Sequence, residues 1–397
     1  MSPPRSLQAF LAAARSALVA PAGRRASPLT IVVGNESADL DSLCSAVLLA
    51  YLRSHVPPHT LHVPLSNLER ADLRLRPELS AAMDGAVSAD DLITLSELPT
   101  DLSPAETRWL LVDHNALTGV LAGRFAARVV GCIDHHADEG VVPDVRADDL
   151  ARIIEPCGSC VSLVLRAHAA SWRALATRQP DPPADRQLAR LALAPLLVDT
   201  TGLRDGSKTT ETDRQAVAVA ESFLAAHDLQ YDRSAYLDQL AQLKDNLAGL
   251  SYRDVLRKDY KQWREGVLTL GMATAVQGFE YLLTYVGPRD ALLAAMPAFA
   301  AERGLDILAV MAIRHDNADE PMARQLLLWA ANDTAAAVLR AFVRDNAQQL
   351  GLEPWDGGSL DNTGSSGEWR TCWWQRQTRF SRKQVAPLLR EAMRISG

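Results

Sequence analysis

The chain has 397 residues, 48% hydrophobic, 22% charged and 6% aromatic, which is enough apolar material for a sizeable core and a length that predicts two or three domains. A formal net charge of −7 excludes nucleic-acid binding by bulk charge, and no apolar run approaches the roughly 20 residues of a bilayer-spanning helix. The acidic excess lies in the first part, since residues 1–234 carry 22 Lys and Arg against 29 Asp and Glu, whereas residues 235–397 carry 19 of each. An acidic half suits cation binding, and a neutral half containing Lys258, Lys261 and Lys383 can present a local positive surface to an anionic substrate.

Taken in chain order, the first 35 residues contain Arg5, Arg15, Arg24 and Arg25, no acidic residue, and apolar positions at helical spacing through Leu7, Phe10, Leu11 and Leu18. Mitochondrial presequences share this composition, but the expected reading is a helix packed on the first domain of a cytoplasmic protein, with the mitochondrial matrix as the alternative. Short runs rich in Val, Ile and Leu follow at residues 29–33, 92–95, 109–112 and 129–133 and read as parallel strands buried on both faces. Residues 42–52 and 185–197 carry helical apolar spacing. The first half, residues 1–228, is therefore predicted to be a doubly wound α/β domain with ligands at the carboxyl ends of its strands.

A polar stretch over residues 225–234 marks the predicted boundary, and a helix over 235–247 is expected to open the second domain, residues 235–397. Strands are predicted over 267–273, 306–313, 325–329 and 369–375, with helices over 334–349 and 382–395, so this is a smaller α/β domain with a mixed sheet. The Gly-, Ser-, Asp- and Asn-rich residues 356–367 read as a mobile loop. Five cysteines (Cys44, Cys132, Cys157, Cys160 and Cys372) form an odd set without disulfide-framework spacing, and free, mostly buried thiols in a reducing compartment are expected. Cys157 and Cys160 have the spacing of half a zinc or redox site, but no second pair accompanies them.

Four acidic or histidine-bearing segments follow or flank apolar runs: Gly34-Asn35-Glu36-Ser37-Ala38-Asp39-Leu40-Asp41, Asp113-His114-Asn115, Asp134-His135-His136, and Asp199 after Leu196-Leu197-Val198. A single such Asp is ordinarily a helix cap or turn former. If the runs are neighbouring parallel strands, the four segments converge at one sheet edge, where several carboxylates and an imidazole would repel each other without cations. Hard oxygen ligands with one imidazole suit Mn²⁺, Mg²⁺ or Co²⁺. Two ions about 3.5–4 Å apart, sharing a carboxylate, are the arrangement best suited to phosphoryl transfer to water.

In this order the four segments resemble motifs I to IV of the DHH phosphoesterases, including the Asp-His-His triplet at 134–136. Lys258-Asp259-Tyr260-Lys261-Gln262 and Ser381-Arg382-Lys383-Gln384-Val385-Ala386-Pro387 resemble the phosphate-binding segments of the DHHA2 domain that follows in the second subfamily. The resemblance covers roughly residues 28–397 and implies an active site in the cleft between the two domains. It implies one cation held by Asp39 and Asp113 with Asn35 adjacent, and another held by Asp41, Asp113, His135 and Asp199. His136 would contact the phosphoryl group under attack, and Lys261, Arg382 and Lys383 would grip the phosphates, with Lys208 and Arg204 as weaker candidates further along a chain substrate. Cations in the first turn of a helix oppose its macrodipole, which a bound anion would relieve.

Within that subfamily the manganese-type pyrophosphatases carry a metal-binding His where this chain has Asn35, whereas yeast-type exopolyphosphatases and prune-like proteins carry Asn. The resemblance therefore implies an exopolyphosphatase, a monomer that takes terminal phosphate from inorganic polyphosphate. The alternatives are a manganese-type pyrophosphatase and a prune-like short-chain polyphosphatase or nucleotide phosphodiesterase. A dead-site binding protein is disfavoured by the complete set Asp39, Asp41, Asp113, His135 and Asp199.

Overall fold

A computed structural model describes residues 4–83, 85, 87–142, 152–225, 228, 230–247, 249–314, 322–363 and 368–396. The chain divides into two units, Met1–Lys244 and Asp245–Gly397. In the first, the order is α1 (Leu7–Val19), β1 (Leu29–Val33), α2 (Leu40–Ser54), β2 (His62–Leu65), α3 (Leu79–Ala82), β3 (Thr107–Val112), α4 (Gly119–Phe125), β4 (Val129–Asp134) and β5 (Arg152–Ile154), then α5 (Cys160–Arg178), α6 (Pro182–Asp199), α7 (Glu211–Ala225) and α8 (Arg233–Asp245). The sheet order is β2-β1-β3-β4-β5, with every pairing parallel.

β1 is buried along its whole length, as its unbroken apolar run demands. Its two faces serve different cores: Val32 joins Leu110 and Val112 beneath α2 and α5, while Leu29, Ile31 and Val33 join Trp109 and Phe125 on the other face. The expected strand over 92–95 does not form. Ile93 is buried, but only a bridge from Ser66 to Thr94 is made, because Thr94 accepts the role of cap for the short turn Leu95–Glu97. The sheet edge is taken instead by β2, in which Pro64 is tolerated because β2 pairs on one side only. β5 has three residues, too few to show a period.

The amino-terminal helix α1 belongs to the first core, burying Leu7, Phe10, Leu11, Ala14 and Leu18. Phe10 meets Tyr51 edge to face at 5.2 Å, and Arg5 pairs with buried Asp185 at 2.8 Å. The helix expected to open the second domain is α8, which lies within the first unit but for its last residue, Asp245, and whose Tyr236, Leu237 and Leu240 join the first unit's core. Residues 226, 227 and 229 of the polar stretch lie outside the described residues.

The second unit runs α9 (Tyr252–Lys258), β6 (Tyr260–Glu265), β7 (Leu268–Ala275), α10 (Phe279–Tyr281), α11 (Arg289–Arg303), β8 (Ile307–Arg314), β9 (Ala323–Ala330), α12 (Asp333–Leu350), β10 (Leu352–Pro354), β11 (Trp369–Gln375) and α13 (Arg382–Ser396). Its sheet, ordered β10-β11-β9-β8-β7-β6, is mixed, with β7 and β8 parallel and the other pairings antiparallel. Asp356–Asn362 is tied down where composition suggested mobility: Leu360 is buried, Asp361 accepts from the Cys372 N–H at 2.9 Å, and Asn362 bridges Arg370. Residues 364–367 of that stretch lie outside the described residues. All five cysteines are free, and no described helix is long and apolar enough to cross a membrane.

Candidate metal centre

β1 and β3 are neighbours although α2 and β2 intervene in sequence, so the sheet order reverses between them. The carboxyl ends of strands at such a reversal leave a crevice, and the residues following β1, β3 and β4 fill it. The loop after β1 must turn tightly into α2. A Cβ on Gly34 would stand 2.7 Å from that of Ser42, so a side chain there would push motif I away from the helix. Asp39 caps α2 by accepting from the Ser42 N–H at 3.0 Å, and Asp41 follows in its first turn.

Asp113, just past β3, adopts φ +61°, a left-handed conformation that Asp tolerates better than most residues. Its position is held from three sides. Its N–H donates to the Ile133 carbonyl at 3.0 Å, Ser42 Oγ donates to Oδ2 at 2.6 Å, and Asn35 Nδ2 donates to Oδ2 at 2.7 Å and to the Asp113 carbonyl at 3.0 Å. Asn35 Oδ1 accepts from the Ser37 N–H at 2.8 Å, so both ends of this amide are engaged. These donors occupy Oδ2 and leave Oδ1 facing the histidines.

His135 Nε2 lies 3.2 Å from Asp113 Oδ1 and 3.9 Å from Asp41 Oδ2, while its Nδ1 donates to the Cys157 carbonyl at 3.0 Å. A carbonyl can only accept, so Nδ1 carries the proton and a neutral ring would turn its Nε2 lone pair onto carboxylate oxygens. Only a proton or a cation between them makes that contact favourable. His136 is oriented differently: its Nδ1 donates to Asp134 Oδ1 at 2.8 Å. Asp134 also accepts from the N–H groups of His135 and His136 and from Asn115 Nδ2, so it caps the turn and directs the second imidazole rather than the first. Burial opposes its charge, but the His136 hydrogen bond and the other donors leave its carboxyl below the usual range.

Asp41 lies buried beneath the first turn of α5, where it accepts from Ser159 Oγ at 2.7 Å, the Cys160 N–H at 2.7 Å and the Val161 N–H at 3.1 Å. Even so, burial and then the charges of Asp113 and Asp199 lift its carboxyl well above the ordinary range. Asp199 is the last residue of α6, not the end of a strand: the apolar run before it is helical, and the helix axis delivers it to the sheet edge. Loss of hydration lifts Asp199 to about 7, with Lys244 opposing the shift and Asp39 and Asp113 adding to it. The fold thus brings Asp39, Asp41, Asp113, His135 and Asp199 into one electrostatic cluster, and the ligand atoms of Asp113, His135 and His136 lie within 4.8 Å of one another. Buried carboxylates driven to hold protons, beside an imidazole lone pair, are the donor set a hard divalent cation satisfies.

Lys208 is exposed and pairs with Asp205 at 3.4 Å, and Arg204 donates to the Thr201 carbonyl at 3.1 Å. In the second unit, Arg382 pairs with Asp259 at 2.7 Å, Lys261 lies half-buried on β6, and Lys383 is exposed in the first turn of α13. Cys157 and Cys160 act through their backbone at this site, and burial raises both thiols.

Sequence reasoning overlooked Asp213. Completely buried, it accepts from the Gly158 N–H at 2.9 Å, from the Thr210 N–H and hydroxyl at 2.7 Å, and from Ser162 Oγ, and so fixes the loop bearing the Cys157 carbonyl and the cap of α5. Gly158 is required there, since a Cβ would lie 2.6 Å from Thr200 Cγ2. The available signal was Thr210-Glu211-Thr212-Asp213, a capping pattern that announces only a helix start.

Among protein families, the DHH family N-terminal domain matches residues 30–195 and the DHHA2 domain matches residues 238–392. A Schizosaccharomyces pombe protein, provisionally named an exopolyphosphatase, is 34% identical over 93% of this chain and 92% of its own length. The Homo sapiens exopolyphosphatase PRUNE1 is 28% identical over 98% of this chain and 79% of its own. A Shouchella clausii protein, provisionally named a manganese-dependent inorganic pyrophosphatase, is 25% identical over 62% of this chain and 70% of its own. A Methanococcus jannaschii structure, provisionally named a family II inorganic pyrophosphatase, shares the fold at TM-score 0.55 and 16% identity, covering 92% of this chain and 99% of that one.

Proposed function

Because this chain belongs to the DHH family and carries a DHHA2 domain in its second half, we propose that it is an exopolyphosphatase that hydrolyses terminal phosphate from inorganic polyphosphate. The observation that carries the reading is the buried cluster in which His135 Nε2 faces Asp113 and Asp41. Asp39, Asp41, Asp113, His135 and Asp199 would hold two divalent cations, Mg²⁺, Mn²⁺ or Co²⁺, with Asp113 shared. Such cations neutralise phosphate charge and acidify water, which is the chemistry this reaction needs.

The chain's own groups do the positioning. Asn35 and Ser42 immobilise Asp113, and the Cys157 carbonyl fixes the His135 tautomer so that Nε2 is the ligand nitrogen. His136, whose Nδ1 donates to Asp134, is proposed to contact the phosphoryl oxygen and can donate a proton to it when doubly protonated. Lys261, Arg382 and Lys383 are proposed to hold further phosphate oxygens. Water attacks the terminal phosphorus, the P–O–P bond breaks, and orthophosphate leaves together with a chain one unit shorter.

The Asn35 amide supports polyphosphate over pyrophosphate as substrate. It serves as a donor to Asp113, whereas the related pyrophosphatases carry a metal-binding imidazole at this place. The five free thiols suit a reducing compartment, and the cytoplasm is the proposed location of a monomeric enzyme. Orthophosphate release from long-chain polyphosphate and from pyrophosphate, measured side by side with Mg²⁺, Mn²⁺, Co²⁺ or EDTA, tests the assignment. Rapid cation-dependent release from the polymer, with little from pyrophosphate, is expected; preference for pyrophosphate would move the chain to the neighbouring activity.

A further inference from the structure

The loop from β1 into α2 carries Asn35 and Asp39 and leads to Asp41, and it does so through a backbone conformation that needs support. Ala38, directly before Asp39, lies at φ +49°, in the left-handed region where the Cβ of an L-residue crowds the backbone. Such a conformation persists only where the surroundings enforce it. The turn itself supplies one hydrogen bond, from the Ala38 N–H to the Asn35 carbonyl at 3.0 Å.

Further support comes from the segment after β2. Arg76, between the turn Arg70–Leu75 and α3, donates through Nε to the Ala38 carbonyl at 2.7 Å and through Nη2 to the Ser37 carbonyl, while Nη1 donates to the Leu75 carbonyl at 3.2 Å. The two loop carbonyls belong to the peptide groups on either side of the Ala38 Cα, so a planar fork that holds both fixes both dihedrals of that residue. Arg76 is itself anchored: its N–H donates to the Leu73 carbonyl at 3.0 Å, its carbonyl accepts from the Leu79 N–H at 3.0 Å, and Leu73 and Leu79 pack in the first core. Arg76 is 5% exposed, so a group charged at any ordinary pH is kept from water to hold neutral carbonyls. An apolar side chain would fill the core there with less loss of hydration, so the fork geometry is what the position uses. Asn67, from the same segment, donates to the Gly34 carbonyl at 3.0 Å and steadies the start of the loop.

A rotation at Ala38 would carry Asp39 with it, since Asp39 is the next residue and caps α2. We infer that Arg76 is a positioning residue for the cation assigned to Asp39 and Asp113: by locking Ala38 it delivers the Asp39 carboxylate to the acidic cluster, acting through the backbone and not on cation or substrate. The inference rests on the proposed ligand set and predicts an asymmetry between the two cations. Asp41, Asp113, His135 and Asp199 are held through contacts of their own, with Ser159, Ser42, the Cys157 carbonyl and helix α6 respectively.

The test is Mn²⁺ binding to the full chain without substrate, with free Mn²⁺ followed by electron paramagnetic resonance. The parent should bind two ions. Arg76→Met should weaken one of them about ten-fold or more, the loss usual when a group that orients a ligand is removed, and leave the other within about two-fold. Asp39→Asn should weaken the same ion. Arg76→Lys keeps the charge but has one nitrogen for two carbonyls; it should show the same selective loss, and it serves alone if Arg76→Met does not fold. Adding Ala38→Gly to Arg76→Lys should restore most of the lost affinity, because glycine takes the left-handed conformation without enforcement, a recovery that a role in packing alone would not give. Two parent-like ions in the Arg76 variants while Asp39→Asn loses one, equal weakening of both ions, or no recovery on Ala38→Gly would each overturn the inference alone. Fewer than two ions on the parent, or two parent-like ions on Asp39→Asn, would overturn the ligand reading and the inference with it.

Discussion

At the carboxyl ends of β1, β3 and β4 the first unit places His135 within 3.9 Å of both Asp41 and Asp113, whereas at the amino ends of β1, β2 and β3 it lines up Thr30, His62 and Arg108 beneath Arg53 and His168. The same two helices, α2 and α5, serve both edges. At the first edge burial drives carboxylates to hold protons, and at the second it drives imidazoles to shed them. The first edge is thereby left short of positive charge.

The strongest way to break this contrast is to remove the centre of the acidic edge. Asp113→Ala should reduce cation-dependent orthophosphate release by about a thousand-fold or more, since it deletes the carboxylate shared by both proposed cations. Retained turnover in the folded variant would refute the assigned centre.

Proton competition sharpens the contrast next. Asp41 and Asp199 are raised in the folded chain, so in EDTA stability is fullest below the ordinary carboxylate range and is lost as pH rises through about 7. Mg²⁺ or Mn²⁺ should restore it. The gap in melting temperature with and without cation should widen between pH 5 and 8, reaching on the order of 5 °C at saturating cation. A gap that is constant or narrows with pH would contradict the raised carboxyls.

Asp213 tests how the acidic edge is held. Burial opposes its charge, but the hydrogen bonds from Ser162, Thr210 and Gly158 prevail and leave its carboxyl depressed. Its contribution is therefore present at neutral pH and is lost as pH falls through the depressed folded value, beneath the ordinary carboxylate range. Asp213→Asn should cost about 1–3 kcal/mol in denaturant unfolding at pH 7 and weaken cation binding by loosening the Cys157 carbonyl. An unfolding midpoint equal to that of the parent at pH 7 would show that the loop is held by other contacts. The smallest effect is expected at Lys208, exposed and paired only across one loop: Lys208→Ala should change polyphosphate turnover by less than about two-fold.

Much of the acidic edge was legible in the sequence because its parts are local. Each segment follows an apolar run, and the Asp-His-His triplet and the Asp39–Asp41 alternation survive any detail of packing. Asp199 was legible as a candidate ligand, but the run before it is the helix α6. The basic edge left no pattern, since Arg53, His62, Arg108 and His168 are separated by 9 to 60 residues and each is unremarkable in its own segment.

By itself the sequence determined the α/β class and the DHH and DHHA2 motifs, and offered the candidate ligands, because composition, hydrophobic period and short motifs depend on neighbours along the chain. Only the tertiary structure decided that Asn35 and Ser42 hold Asp113, that Asp134 directs His136 while Cys157 directs His135, and that buried Asp213 fixes the loop between them. Those outcomes rest on hydrogen bonds that exist only once distant segments share one sheet edge, and their directions are set by strand register and helix packing, which no local pattern encodes.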